Sequence, residues 1–397
     1  MHPSLLQRSL TVAVMASGIA GLPLPGGLSG QAPAVRVAGR AQIQYRLAGG
    51  DSSANFSGTG VTNGFEVRRL RIEASARLAD NVTVSVMPSF EMGQIRMRDA
   101  WVRVELAPRL GLTLGQEKSP FQRYELTSSN SLPSIERGVR ILGLTGREAL
   151  NDVIVNNGYG SQDLGAFLDW TAPGNRIALK AGVSNGSRES AADVNNAKSF
   201  FARASATVVT NGAGQPALQV GASLAARDRA ICQSVLGTGG CGAYYADSSK
   251  ITTAVGLDLE WGGFRPGWHV IADFATGDNV PLPLRLNSGR NTANLRNSAD
   301  SNLATFWGLH AVAAYRVVTR GADTRLVQML EPALRLDYTD PDTDTPDDEG
   351  LLITPVLNLY FASTAVLRAG LDLYWYPGPG GDSRAAREFK ISWQANF

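Results

Sequence analysis

Polar residues, three of them arginines, recur at every second position along one segment of this chain. The segment Gly64–Leu78 reads GFEVRRLRIEASARL, and its polar face carries Arg69, Arg71, Glu73, Ser75 and Arg77. The opposite face is apolar, so the period of two predicts a strand. The guanidinium group is always charged, and its planar fork of donors fits phosphate and carboxylate groups. Such a face can bind anions; the alternative is that carboxylates on neighbouring strands neutralise it.

The sequence contains no recognisable catalytic constellation. The motifs GxSxG, HExxH and the phosphate-binding Walker loop are missing, and the histidines are His2, His269 and His310. The acidic stretch Asp340–Glu349 can bind a divalent ion weakly, but a solvated loop is the simpler interpretation. We therefore predict no catalytic residue, no cofactor and no metal site. One alternative is a barrel enzyme such as a lipid hydrolase, which would need a serine activated by histidine.

Alternation of apolar and polar residues continues along almost the whole chain. We count 16 segments of this kind, each about 10 residues long, joined mostly by short turns and longer loops in turn. This pattern predicts an all-β fold, a 16-stranded antiparallel transmembrane β-barrel. Aromatic residues near the strand ends are typical of interfacial girdles. The irregular stretch Lys118–Gln162 interrupts the rhythm, and long irregular segments usually carry function.

The two ends of the chain indicate export to an outer membrane. Arg8 and the short apolar run Leu10–Leu24 precede Ala32-Pro33-Ala34, which predicts a cleaved signal peptide over residues 1–34. Residues 35–397 are then the barrel, in contact with outer-membrane lipid. The last strand alternates up to Phe397 and is similar to the signal read by the barrel-assembly machinery of Gram-negative bacteria.

Composition narrows the class of protein further. The 397 residues are 44% hydrophobic and 18% charged, with a net charge of +2. The charged fraction lies below the roughly 25% of soluble domains, and the near-neutral charge excludes a polybasic nucleic-acid binder. Cys232 and Cys241 lie nine positions apart, and an oxidising compartment would allow a disulfide between them.

Three motifs carry a resemblance to a known family. The stretches FEVRRLRIEASARL, RDAWVRVEL and LTLGQEKSPF occur in this order, followed by WTAPGNRIALKAGVSNG, EPALRLDY and TPVLNLYF. They resemble the phosphate-selective porin O and P family over nearly all of the mature chain. The resemblance implies a channel, usually a homotrimer, whose third external loop folds inward to form a constriction.

The resemblance also implies a site. Arg68 and Arg69 match the arginine pair of the family, Lys118 matches the lysine of its G-Q-x-K-x-P-F corner, and Asp99 would orient them; Arg71 continues the same polar face. The expected function is passive diffusion of small solutes, leaning towards phosphate or other anions. A barrel with a plugged lumen and a structural or adhesive role is the remaining alternative.

Overall fold

The structure is a computed structural model of the full chain. It describes residues 34–50, 62–91, 93–144, 146–187, 189, 193, 196–230, 249–263, 265–279, 303–319, 326–362, 364–377 and 382–397. The predicted signal peptide and the predicted Cys232–Cys241 disulfide lie outside these residues.

Sixteen antiparallel strands form one closed barrel in which β1 pairs with β16. They are β1 (Val35–Gly50), β2 (Asn63–Ala79), β3 (Val82–Glu91), β4 (Gln94–Ala107), β5 (Leu110–Lys118), β6 (Gln162–Thr171), β7 (Ile177–Ser184), β8 (Ser199–Thr210), β9 (Pro216–Ala230), β10 (Ser249–Trp261), β11 (Gly267–Asn279), β12 (Ala304–Val318), β13 (Met329–Asp340), β14 (Gly350–Ala362), β15 (Ala365–Pro377) and β16 (Ser383–Asn396). The predicted strand number and barrel class are confirmed.

The alternation read from the sequence separates the two faces of the wall. Along β1, Gln42, Gln44 and Arg46 are buried, whereas Ile43 and Leu47 are about half exposed. The apolar side chains therefore point outwards and the polar ones inwards, the reverse of a soluble barrel and the arrangement of a barrel in lipid. Among the described residues no helix is long and apolar enough to cross a membrane.

Aromatic rings pair between neighbouring strands towards both ends of the wall. Trp268 on β11 and Tyr315 on β12 have ring centroids 5.1 Å apart, beside the short turn that precedes β11. Trp307 and Tyr338 lie 5.1 Å apart towards the other end of β12. Such pairs are typical of the two interfacial girdles of a membrane barrel.

The long segment between β5 and β6 contains two short helices, α1 (Arg123–Leu126) and α2 (Leu150–Asn156). Its apolar residues do not pack among themselves alone but join buried residues of the wall in three clusters. Their members are Phe121, Leu150, Val153, Ile154 and Tyr159 with Phe201, Ala225, Ala254, Ala275 and Phe306; Ile141 with Ala48, Leu352, Tyr374, Tyr376 and Ala386; and Tyr124 and Leu132 with Ile271 and Val312. Small alanines on the buried face of β9–β11 leave room for the segment.

The seam between the first and last strands is closed at Gly39 and Phe397. The backbone N–H of Gly39 donates to the Phe397 carbonyl at 2.7 Å, and the Phe397 N–H donates to the Gly39 carbonyl at 3.0 Å. A Cβ on Gly39 would lie 2.3 Å from the Phe397 ring, so only glycine leaves space for that ring here.

Candidate functional site

A β-bulge brings two consecutive arginines to the inner face of β2. Gln42 of β1 pairs with Arg69, but the next residue, Ile43, pairs with Val67, which leaves Arg68 as an extra residue. A bulge of this kind places two residues opposite one and re-aims a side chain. Both guanidinium groups consequently reach one carboxylate: Arg68 Nε lies 2.6 Å from Glu136 Oε1, and Arg69 Nη2 lies 3.0 Å from Glu136 Oε2.

A second bulge lies on β4, where Met87 pairs with Asp99 and Pro88 pairs with Met97. The extra residue is Arg98. The side-chain amide of Gln116 on β5 donates to the backbone carbonyls of Met97 and Arg98, the latter at 2.8 Å. These bonds tie β5 to the bulge of β4.

The preceding residue, Gly115, is the first residue of the G-Q-x-K-x-P-F corner, and its backbone shows why a glycine is needed there. Its φ is +131°, and a Cβ there would lie 2.3 Å from the Ala100 carbonyl oxygen. Any other residue would push β5 away from β4, so this glycine keeps Gln116 within reach of the bulge. Phe121, the last residue of the corner, is completely buried in the largest apolar cluster.

Lys118 ends β5 and turns towards α1. Its ammonium group forms an ion pair with the Glu125 carboxylate and also donates to the Glu125 carbonyl. Glu125 accepts a further bond from Asn151 Nδ2 at 2.9 Å, and Arg137 Nε lies 3.5 Å from it. The lysine of the corner therefore fixes the start of the long segment as well as contributing positive charge.

The carboxylates that pair with these cations come mostly from the long segment and from β3. Arg71 Nη2 lies 2.6 Å from Glu91 Oε1, and Arg98 Nη2 lies 2.8 Å from Glu91 Oε2. Burial by itself raises the pKa of Glu136, but the charges of Arg68, Arg69 and Arg140 outweigh it and hold this pKa well below its usual range. Glu136 is thus ionised at any physiological pH.

The ion-paired side chains named so far line one cavity of about 330 Å³ between the β2–β4 wall and the long segment. Eight of its lining side chains are basic and five are acidic. The basic ones are Arg68, Arg69, Arg71, Arg96, Arg98, Lys118, Arg137 and Arg140; the acidic ones are Glu91, Glu125, Glu136, Asp152 and Glu189. The cavity therefore has an excess of positive charge although its arginines are paired.

The segment is also bonded to β13, β14 and β16, on the other side of the β1–β16 seam from β2. Arg335 of β13 donates to three consecutive carbonyls, those of Glu136 at 3.0 Å, of Arg137 and of Gly138 at 3.3 Å. In the same region Asn358 Nδ2 donates to the Pro133 carbonyl at 2.8 Å, and Glu388 Oε2 accepts the Leu142 N–H at 2.8 Å. Strands on both sides of the β1–β16 seam thus hold the segment.

Four of the five residues predicted for the site meet in this cavity: Arg68, Arg69, Arg71 and Lys118. Asp99 is described on β4 but does not line the cavity. Sequence reasoning missed Arg96, Arg98, Arg137 and Arg140. The spacing Arg96-Met97-Arg98 was a usable signal for the first pair, whereas Arg137 and Arg140 lie in an irregular segment where no periodicity reveals a face.

The other charged residues of the inner face mainly pair with each other. Arg103 Nη2 lies 2.8 Å from Asp169 Oδ2, and Arg203 Nη2 lies 2.7 Å from Asp258 Oδ1. His269 and His310 behave likewise, because His269 lies 3.1 Å from Glu260 and His310 lies 2.8 Å from Asp337. Within the described residues no group of three or more metal-ligating side chains could hold an ion.

Comparison with known families decides the class of this barrel. Residues 35–231 match the sequence model of the family described as phosphate-selective porin O and P. The chain belongs to this porin family. The match includes every residue that lines the cavity, and it confirms the resemblance found in the sequence. A comparison with curated protein sequences finds no match.

Solved structures show the same fold at low sequence identity. The outer membrane channel DcaP of Acinetobacter baumannii is 10% identical, with a TM-score of 0.58 over 96% of this chain and 100% of that one. An anion-selective porin from Comamonas acidovorans is 10% identical, with a TM-score of 0.56 over 92% and 100%. OmpT of Vibrio cholerae is 12% identical, with a TM-score of 0.53 over 93% and 99%. These likenesses show the barrel fold, and the family match makes the chain an outer-membrane channel of the porin kind.

Proposed function

We propose that this protein is a porin through which small solutes diffuse passively, with a preference for anions such as phosphate. In this proposal residues 119–161 are the inward-folded third external loop, and the cavity beside them is the constriction. The protein is exported with residues 1–34 removed, inserted by the barrel-assembly machinery, and assembled as a homotrimer. The family match supports a channel over a barrel enzyme.

One observation carries the anion preference: the cavity brings together eight basic and five acidic side chains. Rings of fixed charge lower the barrier for ions of opposite sign in a narrow pore. Arg68, Arg69, Arg71 and Lys118 supply half of the basic groups, and the two bulges place their neighbours on the same inner face. The anion-selective porin of Comamonas acidovorans, which shares the fold, is consistent with this preference.

The mechanism requires that an anion bind without being trapped. Guanidinium and ammonium groups replace part of the hydration shell of the solute as it enters the constriction. Each arginine that we have described there already bonds a carboxylate of the protein, so a passing anion exchanges with an existing partner rather than meeting a bare charge. This competition keeps binding weak enough for release on the other side.

The test is the reversal potential of single channels in planar bilayers under a salt gradient. We expect Arg69→Ala and Lys118→Ala each to lower the chloride-to-potassium permeability ratio by about twofold or more, because a charge in a poorly solvated constriction acts more strongly than one in bulk water. The matched control is Arg77→Ala, which removes an exposed arginine from the inner-face register at the other end of β2.

An unchanged permeability ratio in both constriction variants, with folded protein, would leave these residues with a bracing role only. A wild-type barrel that inserts but conducts no current would instead favour the plugged structural barrel.

A further inference from the structure

One carboxylate in the cavity comes from neither β3 nor the long segment. Glu189 lies in the connection between β7 and β8, and its carboxylate bridges two arginines of β4. Its Oε1 accepts a bond from Arg96 Nη1 at 2.9 Å, and its Oε2 accepts one from Arg98 Nη1 at 2.6 Å. The two partners are more than 90 positions away in the sequence, so the contact joins distant parts of the chain.

The contacts of Glu189 differ from those of Glu136. Glu136 is buried, with 4% of its side chain exposed, and it pairs with Arg68, Arg69 and Arg140. Glu189 pairs with two arginines and has 16% of its side chain exposed, while Arg96 is 33% exposed. A partly solvated carboxylate with two partners is displaced more easily than a buried one with three.

Arg98 is held in place independently of Glu189. Its second amino group donates to Glu91 at 2.8 Å, and its backbone carbonyl accepts the Gln116 bond that caps the bulge. Removing Glu189 from the two arginines would therefore leave at least this guanidinium positioned and pointing into the cavity. A preorganised pair of donors that meets both oxygens of one carboxylate is the geometry of a binding site for that group.

We propose that Arg96 and Arg98 form a subsite for the carboxylate groups of small solutes, and that Glu189 is an internal ligand which such solutes displace. The inference rests on the proposed anion-leaning channel and names a solute class for it. Because the internal ligand occupies the subsite for part of the time, the apparent affinity for a solute equals its intrinsic affinity multiplied by the fraction of time for which the subsite is free. It therefore lets carboxylate solutes bind selectively and still leave.

The experiment measures block of the chloride current by added succinate in planar bilayers. For Glu189→Gln we expect the succinate concentration that halves the current to fall at least threefold relative to wild type, because the internal competitor is gone. The gain should disappear in the triple variant Glu189→Gln, Arg96→Gln, Arg98→Gln. Inorganic phosphate, titrated in parallel, should show a smaller gain than succinate, since the site is shaped by a planar carboxylate.

The matched control is Asp193→Asn, which removes an acid from the same connection. Asp193 pairs with Lys198 at 2.7 Å and does not line the cavity. An equal gain in this control, a gain that survives in the triple variant, or no gain in Glu189→Gln would each overturn the subsite; a phosphate gain equal to that of succinate would overturn its carboxylate specificity. If the wild type is anion-selective but Glu189→Gln does not change the succinate block, the subsite alone is contradicted. A cation-selective wild type contradicts the proposed function.

Discussion

At the scale of single residues, a small number of carboxylates in the long segment sets the charge of the cavity. Glu136 and Glu125 pair with three of the four predicted cavity cations, Arg68, Arg69 and Lys118. Glu136 stays ionised because its arginine partners outweigh the effect of burial on its pKa. The positive excess of the cavity therefore depends on further basic residues, such as Arg137, which shares Glu125, and Arg96, which pairs with Glu189.

Asp152, on α2 of the long segment, is a carboxyl whose charge should respond to pH. Burial raises its pKa to about 7, and nearby Glu148 raises the pKa as well. The backbone N–H groups of Ala149 and Val139, which donate to the carboxylate, and the charge of Arg335 lower it. Because its pKa is higher in the folded than in the unfolded chain, the protonated Asp152 carboxyl stabilises the fold. This stabilisation is complete below the ordinary aspartate pKa near 4 and is lost as the pH rises through about 7.

Asp152→Asn, which stays neutral, should not show this loss. We expect its unfolding midpoint to exceed that of the wild type increasingly between pH 4 and pH 8, measured by thermal or urea unfolding in detergent. Asp80→Asn, in the exposed turn between β2 and β3, is the control. Parallel pH profiles for wild type and Asp152→Asn would show that the carboxyl titrates well below neutrality.

At the scale of elements, the long segment is positioned by side chains of β13, β14 and β16. Arg335 is the main anchor, since its two amino groups serve three consecutive carbonyls and also bond Asp337 at 2.9 Å. A buried carbonyl that loses its donor costs about 1–3 kcal/mol. Arg335→Met should therefore loosen the segment, and it also removes the ion pair with Asp337 of the same strand.

The expected result for Arg335→Met is a noisier single-channel current and faster protease cleavage within residues 119–161. Arg203→Met is a matched control, because Arg203 also lies on the buried face but bonds Asp258 and Ser223 of the wall. Equal current noise and equal cleavage in the two variants would mean that Arg335 supports the barrel rather than the segment.

The same scale shows what sequence reasoning can and cannot reach. Strand alternation depends on a local period of two, so β1–β16 and the irregular stretch could be predicted from the sequence. The bulges at Arg68 and Arg98 could not, because each is a shift in pairing between strands and leaves only a slip in the alternation. The pairing of Lys118 with Glu125 depends on how the irregular segment folds, which no periodicity encodes.

At the scale of the whole molecule, closure of the barrel depends on the seam at Gly39 and Phe397. Deleting Phe397 removes two backbone hydrogen bonds and the ring that fills the space above Gly39. We expect at least a severalfold loss of folded protein in the outer-membrane fraction, measured by immunoblot with and without heating. Phe397→Tyr keeps the ring and is the control. Normal membrane levels of the truncated chain would contradict this prediction.

The long segment also constrains the order in which the chain can fold. Its anchors at Arg335, Asn358 and Glu388 lie 199, 225 and 246 positions beyond the residues that they bond. Contacts so distant in sequence form late, because chain entropy must be lost before they are made. Docking of the segment must therefore wait until β13, β14 and β16 have been added. A chain stalled before that point has both an open sheet edge and apolar side chains of the segment that lack their partners on the wall, two features that expose an unfinished barrel to aggregation and proteolysis.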